Sequence, residues 1–300
     1  MGTRRAGGSR SRWQASARAR ESEGRALGRN RRLAGFEKRL QRLELKYLIE
    51  EPTVDRIRRE IELYCEPDEH NPSRSGRYQR PDPLGYEIYS LYLDSPNLAF
   101  HRAKMRGDPE RLKLRIRTYS KSSPALLELK RRVSDVIDKT RVLVDRKQAE
   151  EAAAGLAAPV EDGPQARHAL NEFSRIVAES GAGPTLYVRY EREAYASVVD
   201  DYARVCFDRH IGAQRAESWN LDPDPYGWRE FDHYWQPELA DRSVVLELKC
   251  QSTIPPWLSD LVRRHSLSRT SFSKYSTGIY LTRRISGGRT RPARDAKVMA

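Results

Sequence analysis

Five short stretches of the chain alternate aliphatic and charged residues with a period of two, the spacing that sends successive side chains to opposite faces of a β-strand. In residues 111–117 the apolar positions are Leu112, Leu114 and Ile116, and the other face carries Arg111, Lys113, Arg115 and Arg117. Residues 42–46, 126–130, 137–141 and 245–249 repeat the idea, each with Lys or Arg on the polar face. Like charges on neighbouring strands repel, so a set of such strands predicts a polyanion that the cations share.

The same pattern gives the order of elements. A strand is expected over 36–49, then a helix over 54–63 capped by Thr53 or Asp55. Residues 66–83 hold four prolines and read as a long loop. Strands follow at 86–94, 111–119, 125–132 and 136–144, the last two as a hairpin, and then helices at 146–154 and 165–180. Further strands are expected at 186–199, 202–208 and 244–250, with an aromatic, Pro- and Gly-containing loop at 219–236. A helix at 255–265 and a short closing element at 275–282 complete the list. No fixed-period repeat interrupts it. Many antiparallel strands with few helices predict an α+β fold, an antiparallel β-barrel with peripheral helices. A barrel turns the cationic faces inward around one ligand.

Charge partition sharpens this picture. The 300 residues carry a formal net charge of +13, of which residues 1–35 supply +8 and residues 283–300 supply +5. The expected domain, 36–282, is therefore neutral overall, flanked by a disordered basic leader (1–35) and a disordered basic tail (283–300). Its cations belong to a focused site, not to a general basic surface. Cys65, Cys206 and Cys250 form no CxxC pair and leave an odd count, which argues against a metal-thiolate site or disulfide framework and points to a reducing, cytoplasmic setting. No apolar run approaches the roughly 20 residues of a membrane span. The six histidines are scattered without metal-ligand spacing.

Taken in order, ELKY (44–47), SLYLD (90–94), KLRIRTY (113–119), LELKRR (127–132), KTR (139–141), YVRYEREAY (187–195), RVCFD (204–208), LELK (246–249) and SFSKY (271–275) make a specific set. The set resembles the catalytic domain of the vacuolar transporter chaperone (VTC) family, a polyphosphate polymerase branch of the CYTH-like triphosphate tunnel metalloenzymes. The resemblance implies an antiparallel barrel enclosing a tunnel in which the γ-phosphoryl group of ATP is added to inorganic polyphosphate with a divalent metal, Mn²⁺ or Mg²⁺. It assigns the catalytic phosphate contacts to Lys46, Arg115, Arg117, Lys130, Lys139, Arg192, Arg204 and Lys274. Arg141, Lys249, Ser273 and Lys113 are added as substrate-binding residues, and Glu247 falls at the metal-binding glutamate. Such chemistry suits the residues, because phosphoryl transfer asks the protein mainly for positioned cations and a metal.

Some positions have competing readings. Glu44 and Glu128 are expected to be ion-pair partners of tunnel cations, and Glu247 has the same reading toward Lys249. Arg189 and Arg192 lie on opposite strand faces, and the resemblance selects Arg192. Tyr86, Tyr89, Tyr92, Tyr187 and Tyr190 are expected as wall or core packing. Three positions depart from the family: Arg42 stands where the triphosphatase branch has a glutamate, Cys206 where a small hydroxyl is expected, and Ser271 where some members are basic. The implied partners are ATP and inorganic polyphosphate, with no specific nucleic acid and with a membrane partner left open. A triphosphate hydrolase on the same fold and a non-catalytic polyanion-binding module are the alternatives.

Overall fold

Strand alternation, which pairs one apolar face with one charged face, builds a single antiparallel sheet in which the charged face is the inner one. The computed structural model describes residues 43–71, 85–134, 136–154, 163–200, 202–231 and 243–284, all within one compact unit, Leu40–Ala300. The expected leader, and all but the first two residues of the expected tail, lie outside the described residues, as does most of the expected 66–83 loop.

The strands are β1 (Leu43–Glu50), β2 (Cys65–Pro67), β3 (Tyr86–Asp94), β4 (Glu110–Thr118), β5 (Ala125–Val133), β6 (Val136–Val144), β7 (Gly183–Ser197), β8 (Ala203–Arg215), β9 (Arg229–Glu230) and β10 (Ser243–Cys250). The helices are α1 (Glu51–Ile61), α2 (Ala99–Arg106), α3 (Arg146–Ala153), α4 (Gly163–Ser180), α5 (Pro256–Arg264) and α6 (Lys274–Arg284). The sheet runs β1-β10-β8-β7-β3-β4-β5-β6, with β2 added to β7 and β9 to β8. The expected barrel is thus an open sheet by hydrogen bonding, since no ladder joins β1 to β6 among the described residues. The outer edge of β1 is instead covered by the strap before α6. Tyr47 bridges Arg269, and the Thr270 N–H donates to the Lys46 carbonyl at 2.8 Å.

Two apolar layers hold the sheet from outside. Leu45, Tyr47, Ile49, Val205, Phe207, Leu246 and Leu248 pack under Val54, Ile57 and Ile61 of α1 and Trp257, Leu258 and Leu261 of α5. On the other half Leu114, Ile116, Leu127, Leu129 and Val142 pack under α3 and α4, with Leu170 and Phe173 fully buried. Each such side chain contributes about 1.5–3 kcal/mol on burial. The third cluster lies inside: Leu186, Val188, Tyr190, Ile211 and Ala213 receive Tyr275 and Ile279 of α6. Gly278 permits that approach, because a Cβ there would lie 2.6 Å from Leu186 Cδ2 and 2.9 Å from Ala213 Cβ. A bulge at His210 (φ 48°) with a register shift opposite 189–191 puts Asp208 and Ile211, an odd number of positions apart, on one inner face.

Several elements differ from expectation. Helix α1 starts at Glu51 with no side-chain cap. Thr53 Oγ1 instead accepts from Arg56, and Asp55 pairs with Arg58. The closing element is a helix, α6, β8 continues to Arg215, and β9 lies inside the expected 219–236 loop. Helix α2 has no buried residue and lies between the expected strands at 86–94 and 111–119, where no element is expected. The buried Asp94 carboxylate fixes its start by accepting from the N–H groups of Phe100 and His101, both at 2.9 Å.

Charge is also buried on the outer face, under α1. Arg58 donates from Nε and Nη2 to Glu193 at 2.6 and 2.9 Å, Arg209 Nη1 donates to Glu193 Oε2 at 2.9 Å, and Arg209 Nη2 reaches Glu51 at 2.8 Å. Tyr195 Oη completes the set on Glu193 Oε1 at 2.6 Å.

Candidate active site

Inner-face positions of four elements, β1, β7, β10 and α6, meet at one carboxylate, and β8 adds a second beside it. Glu247 of β10 is 4 % exposed. Its Oε1 lies 3.3 Å from Lys46 Nζ (β1) and 3.4 Å from Lys274 Nζ (first residue of α6), and its Oε2 lies 3.0 Å from Arg192 Nη2 (β7) and 3.1 Å from Lys249 Nζ. Asp208 of β8, fully buried, accepts from Arg192 Nε and Nη2 at 2.7 and 2.8 Å and from Lys274 Nζ. Burial alone raises the Glu247 carboxyl, but Lys46, Lys249, Lys274 and Arg192 outweigh it and hold the group well below the usual carboxylate range. Tyr190 roofs two of these cations, its ring centroid 4.6 Å from Lys274 Nζ and 5.2 Å from Arg192 Cζ.

A second cluster forms on β4, β5 and β6. Glu128, 2 % exposed, takes Arg115 Nε at 2.6 Å, Lys139 at 2.7 Å and Arg117 at 3.4 Å. Burial opposes its ionisation, and Arg115, Arg117 and Lys139 reverse that and keep the carboxyl well below its ordinary value. Arg115 also donates to Tyr92 Oη at 3.1 Å. Glu44 of β1 joins the two clusters, 3.1 Å from Lys46 and 3.3 Å from Lys130. Lys113, Lys130 and Lys139 stand in register across β4, β5 and β6. Arg117 Nε is buried without a hydrogen-bond partner.

This inner face, flanked by helices on its apolar outside, is the architecture that the motif order anticipated. The family model of the VTC domain matches residues 41–283. The chain belongs to the VTC-domain family. No curated protein matches it. Solved structures similar to this VTC domain include PH1819 from Pyrococcus horikoshii (12% identity, TM-score 0.39, covering 82% of this chain and 99% of that one). HpAC1 from Hippeastrum, named for adenylyl cyclase and a dominant triphosphatase activity, is 15% identical with a TM-score of 0.42, covering 78% and 93%. An adenylate cyclase-like protein from Vibrio parahaemolyticus is 11% identical with a TM-score of 0.39, covering 80% and 99%. Family membership supports a polyphosphate-related tunnel enzyme of the phosphoryl-transfer or hydrolase kind.

The VTC domain brings Lys46, Arg192, Glu247, Lys249 and Lys274 together, and separately Arg115, Arg117 and Lys139, with Lys113 and Lys130 between them. Arg141 is exposed and opposite Glu128 in register. Arg204, with a side chain 48 % exposed and 4.0 Å from Asp68, sits at a mouth and not in the interior. Ser273 is buried at the start of α6, where its Oγ accepts from the Ser276 N–H at 3.4 Å. Cys206 is buried opposite Glu247 in register, and Ser271 accepts from Lys104 of α2 at 3.4 Å. Glu44 and Glu128 are ion-pair partners as expected, and Arg189 points outward to Trp228 and Glu230. Asp208, Tyr190 and Lys104 were not singled out as site residues. For Asp208 the signal was present, since Arg204, Cys206 and Asp208 alternate at strand spacing.

Two lysines of this VTC domain hold their protons loosely. Burial, reinforced by Lys46 and Lys130 and opposed by Glu44, brings Lys113 down to about 7. Lys139, although its side chain is 38 % exposed, is brought down to about 8 by desolvation near its ammonium, with Glu128 opposing and Arg115 adding to the fall. Their folded values lie below the unfolded ones, so the free protein binds fewer protons than the unfolded chain between about pH 7 and 10.5, and these groups favour folding as pH rises there. A bound polyanion reverses the balance by recharging them. Inorganic tripolyphosphate is therefore expected to bind with proton uptake near pH 8, and its affinity to fall above that by up to about tenfold per pH unit for each lysine recharged. Calorimetry in buffers of different ionisation enthalpy measures the uptake, and Lys113→Arg, which stays charged, reduces it. Equal uptake in wild type and Lys113→Arg assigns the proton elsewhere.

Proposed function

We propose that this chain is a polyphosphate polymerase that transfers the γ-phosphoryl group of ATP to the end of an inorganic polyphosphate chain. One observation carries the reading. Nine inner cations (Lys46, Lys113, Arg115, Arg117, Lys130, Lys139, Arg192, Lys249 and Lys274) face four carboxylates (Glu44, Glu128, Asp208 and Glu247). Surplus charge gathered on one partly enclosed face is costly, and a phosphate chain neutralises it while accepting hydrogen bonds from the cations. The orphaned Arg117 Nε is a donor of the kind that a phosphate oxygen satisfies.

Family membership implies a divalent metal, and the donor set bears on how it is held. No group of three metal-ligating side chains exists among the described residues, and both Glu247 oxygens face cations. A hard ion fits here as one partner of a metal–phosphate complex, bound through Glu247 while the phosphates take over the lysines and Arg192. Bound so, it would supply charge neutralisation at the reacting phosphoryl group. The protein's own share is positional. Arg115, Arg117, Lys130 and Lys46 cradle donor phosphates, Arg192 and Lys274 hold the transferring group against Glu247, and Lys113, Lys139, Arg141, Lys249, Ser273 and Arg204 guide the chain.

Incubation with ATP, Mn²⁺ and a pyrophosphate primer tests this, with ADP and a phosphate ladder as readouts. Arg117→Ala is expected to lower synthesis at least about 100-fold, in line with loss of one preorganised donor to developing charge. Free phosphate without a ladder would assign a hydrolase, and tight tripolyphosphate binding without turnover a binding module.

A further inference from the structure

Three aromatic rings gather at the Arg117 end of the tunnel, where phosphate chemistry alone does not require them. Tyr119 follows Arg117 by two positions and so leaves β4 on the same face, and it is 41% exposed. Tyr86 opens β3 directly opposite Arg192 of β7. The exposed His70 approaches Tyr86 edge-on, with ring centroids 5.7 Å apart and planes at 70°. Tyr86 and Tyr119 are 6.2 Å apart at 47°, and His70 and Tyr119 face each other at 6.4 Å with planes only 28° from parallel.

Polar contacts hold the turns that carry His70 and Tyr119, while Tyr86 packs against the inner apolar cluster. Asp68 and Asn71 pin the 68–71 turn to β7: the Asp68 N–H and Asn71 Nδ2 donate to the Ala194 carbonyl at 2.9 and 2.7 Å, and the Ala194 N–H donates to Asn71 Oδ1 at 3.1 Å. The His70 N–H donates to Asp68 Oδ1 at 3.1 Å. The N–H groups of Tyr119 and Ser120 both donate to Ser123 Oγ, at 2.9 and 3.0 Å. An aromatic ring between two others needs about 7 Å, two carbon contacts of about 3.5 Å each; the His70 and Tyr119 centroids are 6.4 Å apart, so the exposed His70 has to move outward slightly to admit one. Inside, two residues along the strand and so about 7 Å away, lies the unpartnered Arg117 Nε.

We infer that His70, Tyr119 and Tyr86 form a nucleobase clamp, with the base between His70 and Tyr119, its edge on Tyr86, and the triphosphate running inward from Arg117. The assignment rests on the nucleotide-donor reading above and gives the tunnel a direction: nucleoside at the Tyr119 mouth, phosphates toward Glu247. Stacking accepts any base, since each has a π-face. The test compares dissociation constants for ATP and inorganic tripolyphosphate, both with Mg²⁺, on the full chain. Tyr119→Ala is expected to weaken ATP at least about fivefold, the low end of base–aromatic stacking, with tripolyphosphate unchanged and Tyr119→Phe close to wild type. His70→Ala should act in the same direction. Equal weakening of both ligands, or unchanged ATP affinity in both alanine variants, overturns the clamp. Failure of wild type to bind tripolyphosphate overturns the tunnel reading beneath it.

Discussion

Replacing Glu247 by glutamine is expected to stop polyphosphate synthesis and to lower the unfolding free energy of the ligand-free protein by about 3–5 kcal/mol, the usual cost of removing one partner from a buried ion pair. The reason is local. Lys46, Arg192, Lys249 and Lys274 all lie within 3.4 Å of the two Glu247 oxygens, and an amide offers them one neutral acceptor. Asp208 remains, but Arg192 and Lys274 already occupy it. Tripolyphosphate supplies the missing negative charge, so the deficit should shrink when the anion is added. At saturating anion the deficit shrinks by about 1.4 kcal/mol for each tenfold by which the variant binds it more tightly than wild type. Urea unfolding with and without tripolyphosphate reads both effects. A glutamine variant as stable as wild type without ligand would show that the cations do not depend on Glu247, and normal synthesis would remove Glu247 from the reaction.

The same carboxylate illustrates what the sequence carried. Residues 245–249 alternate so cleanly that β10 and the place of Glu247 and Lys249 on one face were legible, as was β4 with Lys113, Arg115 and Arg117; of the cations around Glu247, only Lys249 was expected as its ion-pair partner. Helix α3 was expected as well, and the structure shows its start fixed by a capping box of Asp145 and Gln148. Other parts depend on contacts that no periodicity announces. Helix α2 begins where Asp94, at the end of β3, satisfies its N–H groups, and none of its own residues is buried. Helix α6 reads weakly because Ser276, Thr277 and Gly278 are poor helix formers; its place is set by Tyr275 and Ile279 entering the inner cluster. The open edge at β1 was hidden for a similar reason, since only the folded strap at 269–272 covers it.

Glu193→Ala should also cost about 3–5 kcal/mol of stability, yet leave the specific activity of the folded protein intact, and the contrast with Glu247 is the informative part. Glu193 neighbours Arg192 in β7 but faces the other way. It is 2 % exposed under α1, with Arg58, Arg209 and Tyr195 all donating to it. Removing it strands two buried guanidiniums, of which Arg209 keeps Glu51 and Arg58 keeps Asp55. Tripolyphosphate cannot reach that face, so added anion should not narrow the gap to wild type as it does for Glu247→Gln. The acid limb offers a further check. Burial raises the Glu193 carboxyl, but Arg58 and Arg209 prevail and its value falls below the ordinary 4.5. Its contribution is therefore complete above about pH 4.5 and lost as pH falls through the lower folded-state value, so the stability difference between wild type and Glu193→Ala should narrow in acid. A difference that stays constant down to pH 2, or one that tripolyphosphate closes, would show that Glu193 is not acting as the buried counter-ion of Arg58 and Arg209.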